Sequence, residues 1–258
     1  MTENPLLSKL RLPGKIFQLP SRGLLYKNNE LSPSVTDGEI HCHSLTAFEE
    51  ITLKNSDLLF AGKALPEVLK TTIPDILQSE ELYAKDVDAI MIFLRLVTYG
   101  PAYELSINHK CENGKNHSYE INLDTIINNI SYLDPTTFAN DYFLTLSNGQ
   151  VVQLQPVKYR DVIEMLRQNE NKSQLSVEDM QNNLEKSMLN IIKSVDGIEE
   201  KTLLIEWIRS LPSQYVNDLG NQIAKINTWG PNLDYTVTCK DCGEPIEIEV
   251  PINPISFF

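Results

Sequence analysis

A tetrapeptide pattern occurs twice and constrains the fold more than any other feature. Thr98-Tyr99-Gly100-Pro101 returns in the second half as Thr228-Trp229-Gly230-Pro231. Each copy follows a helix-like apolar run, and Gly-Pro stops such a run. Each precedes two segments of alternating apolar and polar residues separated by a polar turn containing a Cys, the pattern of a half-buried β-hairpin. Other cues repeat in the same order. Phe17-Gln18-Leu19-Pro20-Ser21-Arg22-Gly23 is echoed by Phe143-Leu144-Thr145-Leu146-Ser147-Asn148-Gly149. Gly38-Glu39-Ile40 leads into Thr46 to Ile51 as Gly149-Gln150-Val151 leads into Val157 to Val162. The expectation is an α+β fold of two duplicated helix-plus-β-hairpin modules, the second ending in a zinc-ribbon-like knuckle. The divisions are an N-terminal arm at 1–15, a first module at 16–138 and a second at 139–258.

Within the first module, Ile40 to Leu45 is strand-like, and Thr46 with Glu49 has capping-box spacing. Leu65 to Leu77 is apolar but interrupted by Pro66 and Pro74. Asp86 to Val97 leaves almost no polar face, so it predicts a buried central helix. Tyr103, Leu105 and Ile107, then Tyr119, Ile121 and Leu123, alternate as a hairpin. Residues 125–141 have the composition of a connection. In the second module Asn148-Gly149 joins two short strands. Ser176 opens a long helix running through Ile191 and Ile192, and Ile198 to Ile208 continues helical. Tyr235 and Val237 pair with Ile246, Ile248 and Val250.

The charge balance narrows the partners. Among 258 residues, 22 Lys and Arg against 35 Asp and Glu leave a net charge of −13. Such a chain repels a phosphate backbone, and its cations are scattered, so no nucleic-acid partner is expected. No membrane association is expected either. The run Ala89 to Leu94 is interrupted by Arg95 and falls far short of the ~20 apolar residues that span a bilayer. No basic start followed by an apolar segment suggests secretion. Four cysteines are too few for a disulfide scaffold of this size and suit a reducing compartment.

Cys239-Lys240-Asp241-Cys242-Gly243 is the sharpest chemical feature. Two thiolates three positions apart on a Gly-closed turn can clasp Zn²⁺, which takes four ligands in structural sites. At the offset of the repeat, His109-Lys110-Cys111 falls opposite Cys239-Lys240-Asp241, and His117 follows soon after. The candidate set is therefore Cys239 and Cys242 with Cys111 and His109 or His117, stapling the two hairpins. The competing reading is a vestigial knuckle that holds no metal. A thioredoxin-like role is disfavoured because that motif sits at a strand-to-helix junction. His41-Cys42-His43 could present two imidazoles on one strand face, though a half-exposed strand explains it as well.

No Gly-x-Ser-x-Gly, Walker loop or dinucleotide fingerprint is present. Adjacent acids such as Glu49-Glu50 and Glu199-Glu200 diverge on a helix. Glu247 and Glu249 fit the wet side of a strand. Tyr99 and Trp229 are expected to plug equivalent helix-to-hairpin corners, and Phe257 and Phe258 either fold back or are buried by a partner.

The order of these parts resembles the T-even-phage baseplate protein family, which includes the baseplate hub subunit and the hub assembly factor. The resemblance rests on Phe17 to Gly23, the helix ending Arg95-Leu96-Val97-Thr98-Tyr99-Gly100, the Cys-bearing hairpins, Cys239 to Gly243 and the terminal Phe pair. It departs where Cys111 stands without a Cys-x-x-Cys partner. The resemblance implies a non-enzymatic structural or assembly protein of a contractile-tail baseplate hub. Its partners would be other tail and baseplate hub proteins, and the chain could form a homo-oligomeric ring. It would be made in the host cytoplasm and act in the virion. The alternative is a zinc-ribbon adaptor in a transcription or DNA-processing complex.

Overall fold

The structure is a computed structural model, which describes residues 13–109, 116–169 and 176–258. β1 (Lys15–Gln18) pairs antiparallel with β2 (Glu39–Cys42), placing Phe17 opposite Ile40. Backbone turns with positive φ at Arg22, Gly23, Asp37 and Gly38 bring the intervening segment back on itself. The Arg22 guanidinium donates to both Asp37 oxygens at 2.8 and 2.9 Å, a bidentate clamp across the turns. A Cβ on Gly38 would lie 2.7 Å from the Arg22 carbonyl carbon, so the two turns approach too closely for any side chain there.

Three short helices follow: α1 (Ala47–Lys54), α2 (Ser56–Phe60) and α3 (Ala64–Thr72). The capping box forms as its spacing predicts, with Glu49 N–H donating to Thr46 Oγ and Thr46 N–H donating to Glu49. Pro66 does not break α3, because it occupies the first turn, where no intrahelical donor is lost. A 3₁₀ turn at Ser79–Glu81 leads to α4 (Ala84–Tyr99), the spine of the fold. Ala89, Ile90, Ile92 and Leu94 are wholly buried on successive faces, as the unbroken apolar run predicts. Gly100, at φ +84°, ends the helix.

β3 (Ala102–Asn108) and β4 (Asn116–Asn122) form the first hairpin, with Tyr103 opposite Ile121 and Leu105 opposite Tyr119. The stretch expected as a connection is largely helical: α5 (Leu123–Asn128), then α6 (Pro135–Asp141), capped by Asp134, which accepts from Thr137 N–H at 2.8 Å. Pro135 sits at the start of α6, where its missing N–H costs nothing.

β5 (Phe143–Thr145) and β6 (Val151–Leu154) pair around the Asn148-Gly149 turn. α7 (Tyr159–Asn169) and α8 (Val177–Ile191) come next. The helix expected to run through Ile192 stops one residue earlier. Ile192–Val195 is instead β7, which pairs with β6 and completes a sheet of order β5-β6-β7. Val195 and Ser194 are buried there, and the ladder with Val152 and Gln153 suits the β-branched Ile192 and Val195. α9 (Lys201–Arg209) and α10 (Ser213–Ile226) precede the second hairpin, β8 (Asp234–Thr238) with β9 (Pro245–Glu249), and a last turn of helix, α11 (Pro254–Phe257).

The fold is thus mixed α+β with small antiparallel sheets. The order helix, Gly-Pro, hairpin appears in both halves, while the sheets before it differ, two-stranded in the first and three-stranded in the second. Trp229 is 3% exposed and fills its corner, donating to Tyr142 Oη at 3.2 Å. Tyr99 departs from its expected core role. It is 48% exposed and its hydroxyl donates to Glu50. Tyr99 is the last residue of α4 and points outward, whereas Trp229 lies beyond the end of α10 and is free to turn in.

Candidate functional site

The two hairpins meet over one face of α4. Ile92 and Leu96 of α4, Tyr103 and Ile121 of the first hairpin, and Val250 and Phe257 beyond the second form one apolar cluster, with Tyr235 and Ile248 packed against it. Phe257 is wholly buried and meets the Tyr103 ring edge-on at 5.1 Å, so this aromatic folds back into the core. Arg95 caps the cluster. Its guanidinium lies 4.8 to 5.3 Å from the ring centres of Tyr99, Tyr103 and Phe257, and Nη1 donates to the Phe257 carbonyl. Three aromatic faces around one cation fix the corner electrostatically as well as by packing.

At the far end of the seam lies the thiol turn. Cys239 N–H donates to the Glu244 carbonyl at 2.8 Å, and Gly243 N–H returns to the Cys239 carbonyl at 3.0 Å, with Gly243 at φ +77°. The two residues between the thiols both reach the first hairpin. Lys240 N–H donates to Tyr119 Oη at 3.2 Å and its ammonium donates to the Ser118 carbonyl. Asp241 Oδ2 lies 2.6 Å from His117 Nε2. These contacts bring His109, just past β3, to the turn. The ligand atoms of His109, Cys239 and Cys242 all lie within 4.8 Å of one another, with Cys239 buried, His109 half-buried and Cys242 exposed. Of the expected set, then, these three converge. His117 faces Asp241, and Cys111 lies outside the described residues. Two sulfurs and an imidazole nitrogen form a soft donor set of the kind that suits zinc.

His41-Cys42-His43 makes no such cluster among the described residues. His41 is exposed, and both its backbone N–H and its ring Nδ1 engage Asp75 Oδ2, at 2.7 and 2.9 Å. Cys42 is wholly buried, and desolvation pushes its thiol up to about 12, which makes it inert.

Sequence reasoning missed a buried polar network at the start of α4. Asp86 is 0% exposed, with Ser21 N–H donating to Oδ1 at 2.9 Å and Tyr26 O–H donating to Oδ2 at 2.7 Å. Tyr26 Oη in turn accepts from Tyr83 N–H at 3.2 Å. Desolvation raises Asp86 to about 6, against those bonds. Asp88 is likewise raised to about 6, by desolvation first, with Asp86 and Glu249 adding like charge. No local signal marks Asp86 as buried, because both of its donors come from a turn more than fifty residues earlier.

Among the described residues, α8 and α1 both expose apolar side chains. On α8, Val177, Met180 and Leu184 recur at helical spacing and are 67%, 52% and 48% exposed. Beside them runs a groove walled by α8, α9 and α10, with Leu184, Ile208, Leu211 and Val216 in its lining. On α1, Phe48 and Ile51 are exposed as well. Among the described residues, no helix is long and apolar enough to cross a membrane.

Comparison with curated proteins and with solved structures gives no match. The sequence pattern of one family does match, and it spans α1 to α11, taking in both hairpins, the thiol turn and the open face of α8. Over residues 35–258, most of its length, this chain belongs to the T4 bacteriophage base plate protein family.

Proposed function

We propose that this chain is a structural or assembly component of a contractile-tail baseplate hub, acting by binding neighbouring tail proteins and performing no turnover. Family membership supports the baseplate role. The observation that carries the binding role is the α8 stripe of Val177, Met180 and Leu184, together with the groove beside it. Apolar residues at i, i+3 and i+7 normally face a core. A contiguous apolar strip in water, rimmed here by Glu178, Gln181 and Glu185, is the ordinary mark of a protein-binding face. The net charge of −13 steers such a face toward basic partner surfaces and keeps copies apart before they are captured. Several copies around the tail axis would form a ring.

The test is co-purification. An affinity-tagged full chain, produced in cells that also make the phage's tail proteins, should recover baseplate components. Met180→Asp with Leu184→Asp should abolish that recovery while circular dichroism and the melting temperature stay those of the parent. Undiminished recovery by the folded double variant would refute α8 as the binding face. Recovery of no tail protein by the parent would refute the function.

A further inference from the structure

We infer that His109, Cys239 and Cys242 supply three of the ligands of a Zn²⁺ ion that pins the first hairpin to the second. In Cys239-Lys240-Asp241-Cys242, both middle residues are tied to β4, through Tyr119, Ser118 and His117. These ties set the thiol turn against the first hairpin. They leave both sulfurs beside His109, with all three donor atoms within 4.8 Å of one another. In tetrahedral zinc with Zn–S near ~2.3 Å and Zn–N near ~2.0 Å, neighbouring donors sit roughly 3.3–3.8 Å apart. The observed spacing exceeds this by about 1 Å, a difference within the reach of side-chain rotation.

The chemistry selects the metal. Thiolate sulfur disfavours calcium and magnesium, which take oxygen, and two sulfurs with one imidazole favour zinc. On binding, each thiol gives its proton to solvent and the imidazole coordinates in its neutral form, so one Zn²⁺ releases two protons. The ion neutralises two thiolates beside a turn that already carries Asp241. His117 is not a ligand in this arrangement. Its Nε2 is engaged by Asp241 at 2.6 Å, and its part is to hold the turn in place.

The experiment uses the full chain, purified under reducing conditions from zinc-supplemented cells on a resin that carries no metal. Elemental analysis should find about one zinc per chain in the parent. Cys242→Ser and His109→Ala should each fall at least fivefold. Cobalt titration of the parent after zinc removal needs no variant. It should give the intense visible bands of tetrahedral cobalt and a thiolate-to-metal charge-transfer band in the near ultraviolet. Less than a tenth of a zinc per chain with no such cobalt spectrum would overturn the site. So would alkylation and mass analysis showing Cys239 joined to Cys242 as a disulfide in the reduced preparation. His109→Ala holding parental zinc would overturn the ligand assignment. Since none of these readouts involves a partner, the result is independent of the baseplate assignment.

Discussion

Asp86→Asn tests the buried network at the start of α4. Folding takes this carboxyl fully out of water and pushes its pKa from an ordinary 3.8 to about 6. Between those values the folded chain holds a proton that the unfolded chain has released. The group therefore favours the native state most below about pH 4, and that advantage is lost as pH rises through about 6. At about 1.36 kcal/mol per pH unit, the interval between 3.8 and about 6 amounts to about 3 kcal/mol. Asp86→Asn keeps the shape and removes the titration. The amide offers one oxygen to the two donors, Ser21 N–H and Tyr26 O–H, so one donor loses its match at a cost of about 1–3 kcal/mol that does not vary with pH. That cost moves the curve vertically and leaves its shape alone. The assay is urea unfolding of both proteins from about pH 4 to 7.5 at fixed ionic strength, read as parent minus variant so that the other carboxylates cancel. Across that window the difference should fall by about 2.5 kcal/mol, with a midpoint near pH 5 and a plateau above about pH 6. Asp88 adds to the fall, because the Asp86 charge helps to raise it. A difference constant to within about 0.5 kcal/mol across the range would mean that Asp86 is solvated in the native state, and the reasoning would fail.

Two further contrasts use paired positions. Trp229→Ala should cost about 3–5 kcal/mol in guanidinium unfolding, since the ring is 3% exposed and bonded to Tyr142, whereas Tyr99→Ala at the matching sequence position should cost under about 1 kcal/mol. Gly38→Ala should cost at least about 2 kcal/mol, combining left-handed strain with a clash against the Arg22 backbone. Gly149→Ala, also left-handed but with nothing within 4 Å, should cost about 1 kcal/mol, both read as melting-curve shifts.

What could be read from the sequence followed from local rules. α4 is apolar on every face, Asn148-Gly149 sits between alternating residues, and Thr46 with Glu49 has the spacing of a cap, and each forms the element its pattern dictates. What could not be read depends on partners distant in the chain. The helical pattern runs into Ile192, and only pairing with β6 marks Ile192 to Val195 as a strand. Asp86 looks like an ordinary first-turn acid until Ser21 and Tyr26 close over it. The thiol turn stands between these cases. Its two cysteines and the candidate histidines are visible in the sequence, but choosing between His109 and His117 requires the hairpin register. That register sets His117 opposite Ile107, within reach of Asp241, and leaves His109 beyond the last paired residues of β3 and β4.

The cluster that joins the hairpins also sets a timetable. Tyr103 and Ile121 leave the ribosome early, yet the side chains that cover them, Val250 and Phe257, come roughly 150 residues after Tyr103. At about 5–20 residues per second, that is about 8–30 s of translation. Throughout that time a greasy flank of the nascent spine faces solvent, so this flank is sealed only once Val250 and Phe257 have been made, and a ribosome that stalls before them leaves behind a sticky, unfinished protein.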